Sequence, residues 1–174
     1  VFLIIARFLG AKGIREFAEA ALALKALRPE CRFLVVGFPD EGVDGIPQAE
    51  LDAWFKSGLE YLGRLADVQP AIEASSVYVL PSYREGTPRT VLESMAMGRP
   101  IITTDVPGCR ETVVHGANGL LVPPRDANAL REAMEFMADN PDRRAAMGGA
   151  SLAIAREKYD VNAVNASLIA QLGL

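Results

Sequence analysis

Between Ser82 and Met95 the chain reads Ser-Tyr-Arg-Glu-Gly-Thr-Pro-Arg-Thr-Val-Leu-Glu-Ser-Met, and two carboxylates, Glu85 and Glu93, stand there with seven residues between them. An apolar run at 77–80 precedes the segment and helical periodicity follows it, so it reads as a strand-to-helix loop. Such a loop turns the free N–H groups of a helix start toward an anion, and carboxylates beside it accept hydrogen bonds from hydroxyl groups. An anion together with hydroxyls describes a sugar phosphate. A second loop, Arg7-Phe8-Leu9-Gly10-Ala11-Lys12-Gly13, sets two cations between a strand and a helix. The Arg7 guanidinium offers a planar fork to two phosphate oxygens, Lys12 offers a mobile point charge, and Gly10 and Gly13 let backbone approach closely. A diphosphate suits this pair. An ordinary solvated loop suits the spacing equally well, and neither a P-loop nor the dinucleotide fingerprint is matched.

Thr87 is placed to cap the helix and Pro88 to open its first turn, which puts Glu93 near the sixth helical position, among the core-like Leu92, Met95 and Ala96. A carboxylate in that company needs a bidentate partner, and the vicinal hydroxyls of a ribose supply one. The alternative is that both glutamates simply favour the first helical turns through the helix dipole. Arg64 and Leu65 follow another strand, where apolar side chains and backbone groups would pack on a nucleobase. The 105–111 loop reads mainly as a structural turn. His115 has no cysteine or second histidine nearby and reads as structural, so no metal site is expected.

These loops need a scaffold, and the chain supplies an alternation. Strand candidates at 1–6, 32–37, 59–62, 77–80, 100–103 and 119–122 are separated, in most cases, by helical periodicity. In the first helix Ile14, Phe17, Ala18, Ala21, Leu24, Ala26 and Leu27 follow helical spacing after Gly13 and stop before Pro29. Shorter helices are predicted at 49–57, 68–74 and 88–97. Strands apolar on both faces and separated by helices imply a parallel sheet covered on two sides: an α/β, doubly wound, Rossmann-like sheet of about six strands. Three helices follow at 127–138, 142–158 and 161–172, with Gly148 and Gly149 weakening the second of them by about 1 kcal/mol each relative to alanine.

With 174 residues, half of them apolar, the chain can bury a sizeable core, and its length suits one domain or a large one with a terminal appendage. A net charge of −4 without a run of Lys and Arg lacks the footprint of a nucleic-acid binder. Cys31 and Cys109 are too few and too far apart for a disulfide framework or zinc, which fits a reducing cytosol. No apolar run reaches the roughly 20 residues that span a bilayer. A buried-looking strand at the first residue, with no methionine or leader before it, points to the second half of a longer protein.

The segments 6–13, 61–63, 80–96, 98–108 and 118–122 together resemble the C-terminal, donor-binding domain of retaining GT-B glycosyltransferases, family 4. The resemblance covers nearly the whole chain, and the order of the segments, the basic pair and the doubled glutamate are specific in combination. It implies one half of a GT-B fold, with residues 1–174 as a single donor domain and the acceptor-binding domain outside the chain. It also implies that Arg7 and Lys12 bind the diphosphate of a UDP-sugar or GDP-sugar and stabilise its growing charge. Glu93 would take the ribose hydroxyls, and Glu85 with Gly86, Thr87 and Pro88 the donor sugar, with retention and without a metal or other cofactor. The parent would build polysaccharide, lipopolysaccharide or glycolipid on a sugar or lipid-linked acceptor, in the cytoplasm or at the inner face of the membrane. Two further readings share the fold. One is a GT-B sugar-nucleotide epimerase, whose active-site histidines and acidic residues are not matched; the other is a noncatalytic nucleotide-sugar sensor. A receiver-like signalling domain would need acidic residues where Arg7 and Gly37 stand.

Overall fold

The computed structural model describes residues 1–160, and the helix expected at 161–172 lies outside them. Six strands, β1 (Phe2–Phe8), β2 (Phe33–Pro39), β3 (Glu60–Tyr61), β4 (Val77–Leu80), β5 (Ile101–Thr104) and β6 (Gly119–Val122), form one sheet in the order β3-β2-β1-β4-β5-β6. Every pairing in it is parallel. Between and after the strands run α1 (Ile14–Leu27), α2 (Gln48–Lys56), α3 (Gln69–Ala74), α4 (Arg89–Ala96), α5 (Ala127–Asp139) and α6 (Pro141–Lys158). The doubly wound reading therefore holds.

Alternating side chains of each inner strand enter different cores, as the pleat requires. Phe2, Ile4 and Phe8 of β1 join Phe17, Leu24, Val79, Met134 and Met137 on the face covered by α1 and α5. Leu3 and Ile5 join Ile72, Tyr78, Val91, Met95 and Ala155 on the face covered by α3, α4 and α6. Burying a side chain such as Phe17, which is fully inaccessible, contributes about 1.5–3 kcal/mol.

Three local expectations are revised. Helix α1 does stop before Pro29, but Leu27 is 53% exposed, so the apolar stripe ends one turn earlier than the spacing suggests. The third strand shortens to two residues because it is the sheet edge, with Tyr61 and Leu62 exposed. Gly148 and Gly149 leave α6 unbroken. A Cβ at Gly148 would lie 2.4 Å from the Gly98 carbonyl oxygen, so this glycine lets α6 pack directly on the turn after α4.

Candidate active site

The strand order reverses between β1 and β4: from β1 the chain moves outward to β2 and β3, then returns to β4 on the opposite side. Loops leaving the carboxyl ends of β1 and β4 diverge there, and ligands bind in the crevice that this opens. A cleft of about 300 Å³ lies at that point, and its walls include Ala6, Arg7, Lys12, Glu85, Thr87 and Arg89. Five of the expected residues, Arg7, Lys12, Glu85, Thr87 and Pro88, thus share one cavity.

Lys12 and Glu85, 73 positions apart, meet as an ion pair with 2.5 Å between Nζ and Oε1. The Ser82 hydroxyl donates to the same Glu85 oxygen at 2.7 Å. Two glycines allow this approach. Gly13 adopts a left-handed φ of 70°, and a Cβ there would sit 2.1 Å from the Pro81 carbonyl oxygen, so only glycine lets the lysine loop lie against the end of β4. On the far side Gly108, φ 84°, would bring a Cβ within 2.1 Å of the Glu85 carbonyl oxygen. The 105–111 segment is therefore a buttress for the glutamate loop, a role that its reading as a turn did not contain. From beneath, the Thr103 hydroxyl donates to the Leu80 carbonyl at 2.7 Å, and that of Thr104 donates to the Ser82 carbonyl.

Helix α4 begins at Arg89, with Pro88 at its cap position and no side-chain cap; Thr87 does not cap it. Tyr78 does the anchoring instead. Its buried hydroxyl donates to Thr90 Oγ1 at 2.6 Å and lies 3.2 Å from the Ile5 carbonyl oxygen, fastening the first turn of α4 to β1. Burial pushes the Tyr78 phenol well above its ordinary range, so it stays neutral. The N–H groups of Val91 and Leu92 already donate to the Pro88 carbonyl, so those of Arg89 and Thr90, two residues that line the cleft, are the ones that precede the first helical bonds.

Glu93 stands elsewhere. The buried stripe of α4 is Val91, Ser94 and Met95, which leaves Glu93 exposed rather than among core neighbours. It faces a second recess of about 300 Å³ with Ala66, Asp67, Val68, Gln69, Ala96 and Met97. Glu93 lies one helical turn, about 5.4 Å, beyond the start of α4, so the two recesses succeed one another along that helix. The dipole explanation of the glutamates fails on position: the first turn of α4 holds no acidic residue. Gly86 is exposed in the same loop as Glu85. Arg64 lies 4.6 Å over the Phe38 ring at the ends of β3 and β2, and Leu65 packs against the core on the α4 side of the sheet.

Three acidic partners went unforeseen. Asp40 pairs with Arg7 at 3.0 Å, and Asp44 accepts the Ala11 N–H at 2.8 Å, both from the loop after β2. Glu16 accepts the Tyr83 hydroxyl at 2.5 Å. The first two have a weak trace in sequence, a Gly-rich acidic run at 40–45. Among the described residues no cluster of His, Cys, Asp or Glu is placed to hold a metal ion, and the His115 Nδ1 accepts the Leu121 N–H at 3.0 Å. No helix among them is long and apolar enough to cross a membrane.

A parallel sheet of this order, with cations and a helix start converging at its switch point, defines a doubly wound, Rossmann-like domain with a cleft suited to an anion. Residues 1–140 match the family "Glycosyl transferases group 1", and the chain belongs to that family. It is 33% identical over 144 residues to the N,N'-diacetylbacillosaminyl-diphospho-undecaprenol alpha-1,3-N-acetylgalactosaminyltransferase of Campylobacter jejuni, covering 83% of this chain and 37% of that protein. It is 26% identical to the alpha-D-kanosaminyltransferase of Streptomyces kanamyceticus, covering 100% of this chain and 46% of that protein. The fold is that of Anabaena Alr3699/HepE, solved in complex with UDP, with a TM-score of 0.87, 22% identity, and coverage of 99% of this chain and 48% of that one. Sucrose-phosphate synthase from Thermosynechococcus elongatus superposes with a TM-score of 0.82 at 28% identity, covering 98% and 45%. The chain thus spans less than half the length of these relatives.

Proposed function

We propose that the chain is the donor-binding half of a retaining glycosyltransferase that takes a UDP-sugar or GDP-sugar. One observation carries this reading: the Lys12–Glu85 pair sits in the cleft where the strand order reverses, beside Arg7 and the start of α4. A diphosphate in that cleft meets two cations and free N–H groups, which stabilise the negative charge that accumulates as the glycosidic bond breaks. Glu85, Gly86, Thr87 and Pro88 hold the sugar; Glu93, one turn along α4, takes the ribose hydroxyls; Arg64 and Leu65 flank the base. The chemistry uses no metal and no further cofactor. The solved complexes of Alr3699/HepE with UDP and with UDP-glucose support a nucleotide-sugar donor.

The acceptor binds the other half of the enzyme, so the chain by itself binds donor and transfers no sugar. Relatives from Campylobacter jejuni and Escherichia coli act on diphospho-undecaprenol-linked sugars, which favours a lipid-linked glycan acceptor and work at the inner face of the membrane. Calorimetric titration with UDP, GDP and ADP, each also as a sugar conjugate, tests the donor site. The expected result is binding of a uridine or guanosine diphosphate that weakens in Lys12→Ala and in Glu93→Ala. No binding at millimolar concentration, with both variants unchanged, would overturn the reading in favour of a domain that kept only the fold.

A further inference from the structure

The geometry points to Tyr83 as a positioning residue for the Lys12–Glu85 pair, an inference that rests on the donor-site reading. Lys12 leaves β1 and Glu85 leaves β4, so their 2.5 Å contact depends on how two independent loops are fixed to each other. Tyr83 joins them on both sides of the lysine. Its backbone N–H donates to the Ala11 carbonyl at 2.9 Å, immediately before Lys12, and its hydroxyl donates to Glu16 Oε1 at 2.5 Å, in the first turn of α1 just beyond. The adjacent Ser82 donates to Glu85 itself. A shift of Tyr83 therefore moves both members of the pair.

Two features show that this contact is held at a cost. The second carboxylate oxygen of Glu16 is buried with no hydrogen-bond partner, a loss accepted when the first oxygen makes a bond that matters. From the loop between β6 and α5, the Arg125 guanidinium lies 4.5 Å over the Tyr83 ring. Arg125 holds a left-handed φ of 61°, the single non-glycine residue among those described to do so, which aims its side chain at that ring. Tyr83 is thus gripped by α1 at its hydroxyl and by a third loop on its face. It does not line the cleft, and by this reading it acts on the donor through Lys12 and Glu85.

The test is calorimetric titration of the 174-residue chain with UDP, or with GDP if the wild type takes only that. Tyr83→Phe and Glu16→Ala are each expected to weaken binding on the order of tenfold, as a misplaced contact does. Glu16→Gln, whose amide oxygen accepts the same bond, should stay within about twofold of wild type. In a Lys12→Ala background Tyr83→Phe should add less than about twofold, because residues acting through one contact are not additive. Full additivity, or a Tyr83→Phe chain that binds like wild type, would overturn the inference and leave the donor site standing. A wild-type chain that binds neither nucleotide would overturn both. Should Tyr83→Phe fail to fold, the contrast between Glu16→Gln and Glu16→Ala decides.

Discussion

Both cations proposed to meet a diphosphate already carry a carboxylate, Asp40 on Arg7 and Glu85 on Lys12, and Asp44 takes the nearby Ala11 N–H. A diphosphate entering there exchanges one negative partner for another, so its net gain is smaller than the cations alone suggest. Asp40→Asn should free the exposed Arg7 and tighten UDP binding by up to about fivefold, the scale of an exposed ion pair, as calorimetry would read. Lys12→Ala removes a charge-assisted contact and should weaken the same binding by about ten- to a hundredfold. Tyr83 offers a spectroscopic check. Burial first, and then the bond to Glu16, push its phenol up to about 12 from an ordinary value near 10. A folded-state value above the unfolded one means that its contribution to stability is complete below about pH 10 and is lost as the pH rises toward 12. An alkaline ultraviolet difference titration of wild type against Tyr83→Phe should show one tyrosine ionising late.

At the scale of elements, glycines decide which loops touch. Gly108→Ala should lower the thermal midpoint and weaken UDP binding together, because a Cβ there meets the backbone of Glu85 and Gly86 at 2.0–2.1 Å in a left-handed conformation. Helix α6 provides an internal comparison. Gly149→Ala places its methyl in open space within a helix and should stabilise the chain by about 0.4–1 kcal/mol. Gly148→Ala, one residue earlier, drives a Cβ to 2.4 Å from the Gly98 carbonyl oxygen and should destabilise it, as urea unfolding of both variants would show. Neighbouring glycines in one helix, alike in sequence, take opposite signs because only one faces a packed turn.

At the scale of the molecule, the site exists because the two halves of the sheet part at β1 and β4, and the cores on both faces hold those strands in place. Donor binding should therefore stabilise the whole domain: at a hundredfold excess over its Kd, UDP is expected to add about 2.7 kcal/mol, measured as a shift of the unfolding midpoint. Sugar transfer by this chain alone is expected to be undetectable, which a radiolabelled UDP-sugar or GDP-sugar assay with and without a supplied acceptor half would check. The reason is the proposed division of labour, in which this chain holds the donor and the acceptor binds elsewhere.

Although Arg7, expected in the first loop, belongs to the last pleat of β1, the sequence by itself determined the alternation of strands and helices, the parallel two-faced sheet, the family, the loops that hold Lys12 and Glu85 and the helix that holds Glu93. These are local properties: apolar periodicity, a proline stop after α1, and glycines and charges at strand ends are all written within a few residues. Which loops meet is not local. That Lys12 reaches Glu85 across 73 positions and Tyr83 reaches Glu16 across 67 follows from strand order, which no short window encodes. The same holds for burial along a mixed helix. Leu92, Met95 and Ala96 surround Glu93 in sequence, and only the packing of Val91, Ser94 and Met95 against the sheet decided that the carboxylate faces outward, toward its own recess. Tertiary structure chose the partners because each is set by the relative placement of separate elements, and hydrophobic burial fixes that placement only when the whole sheet is assembled.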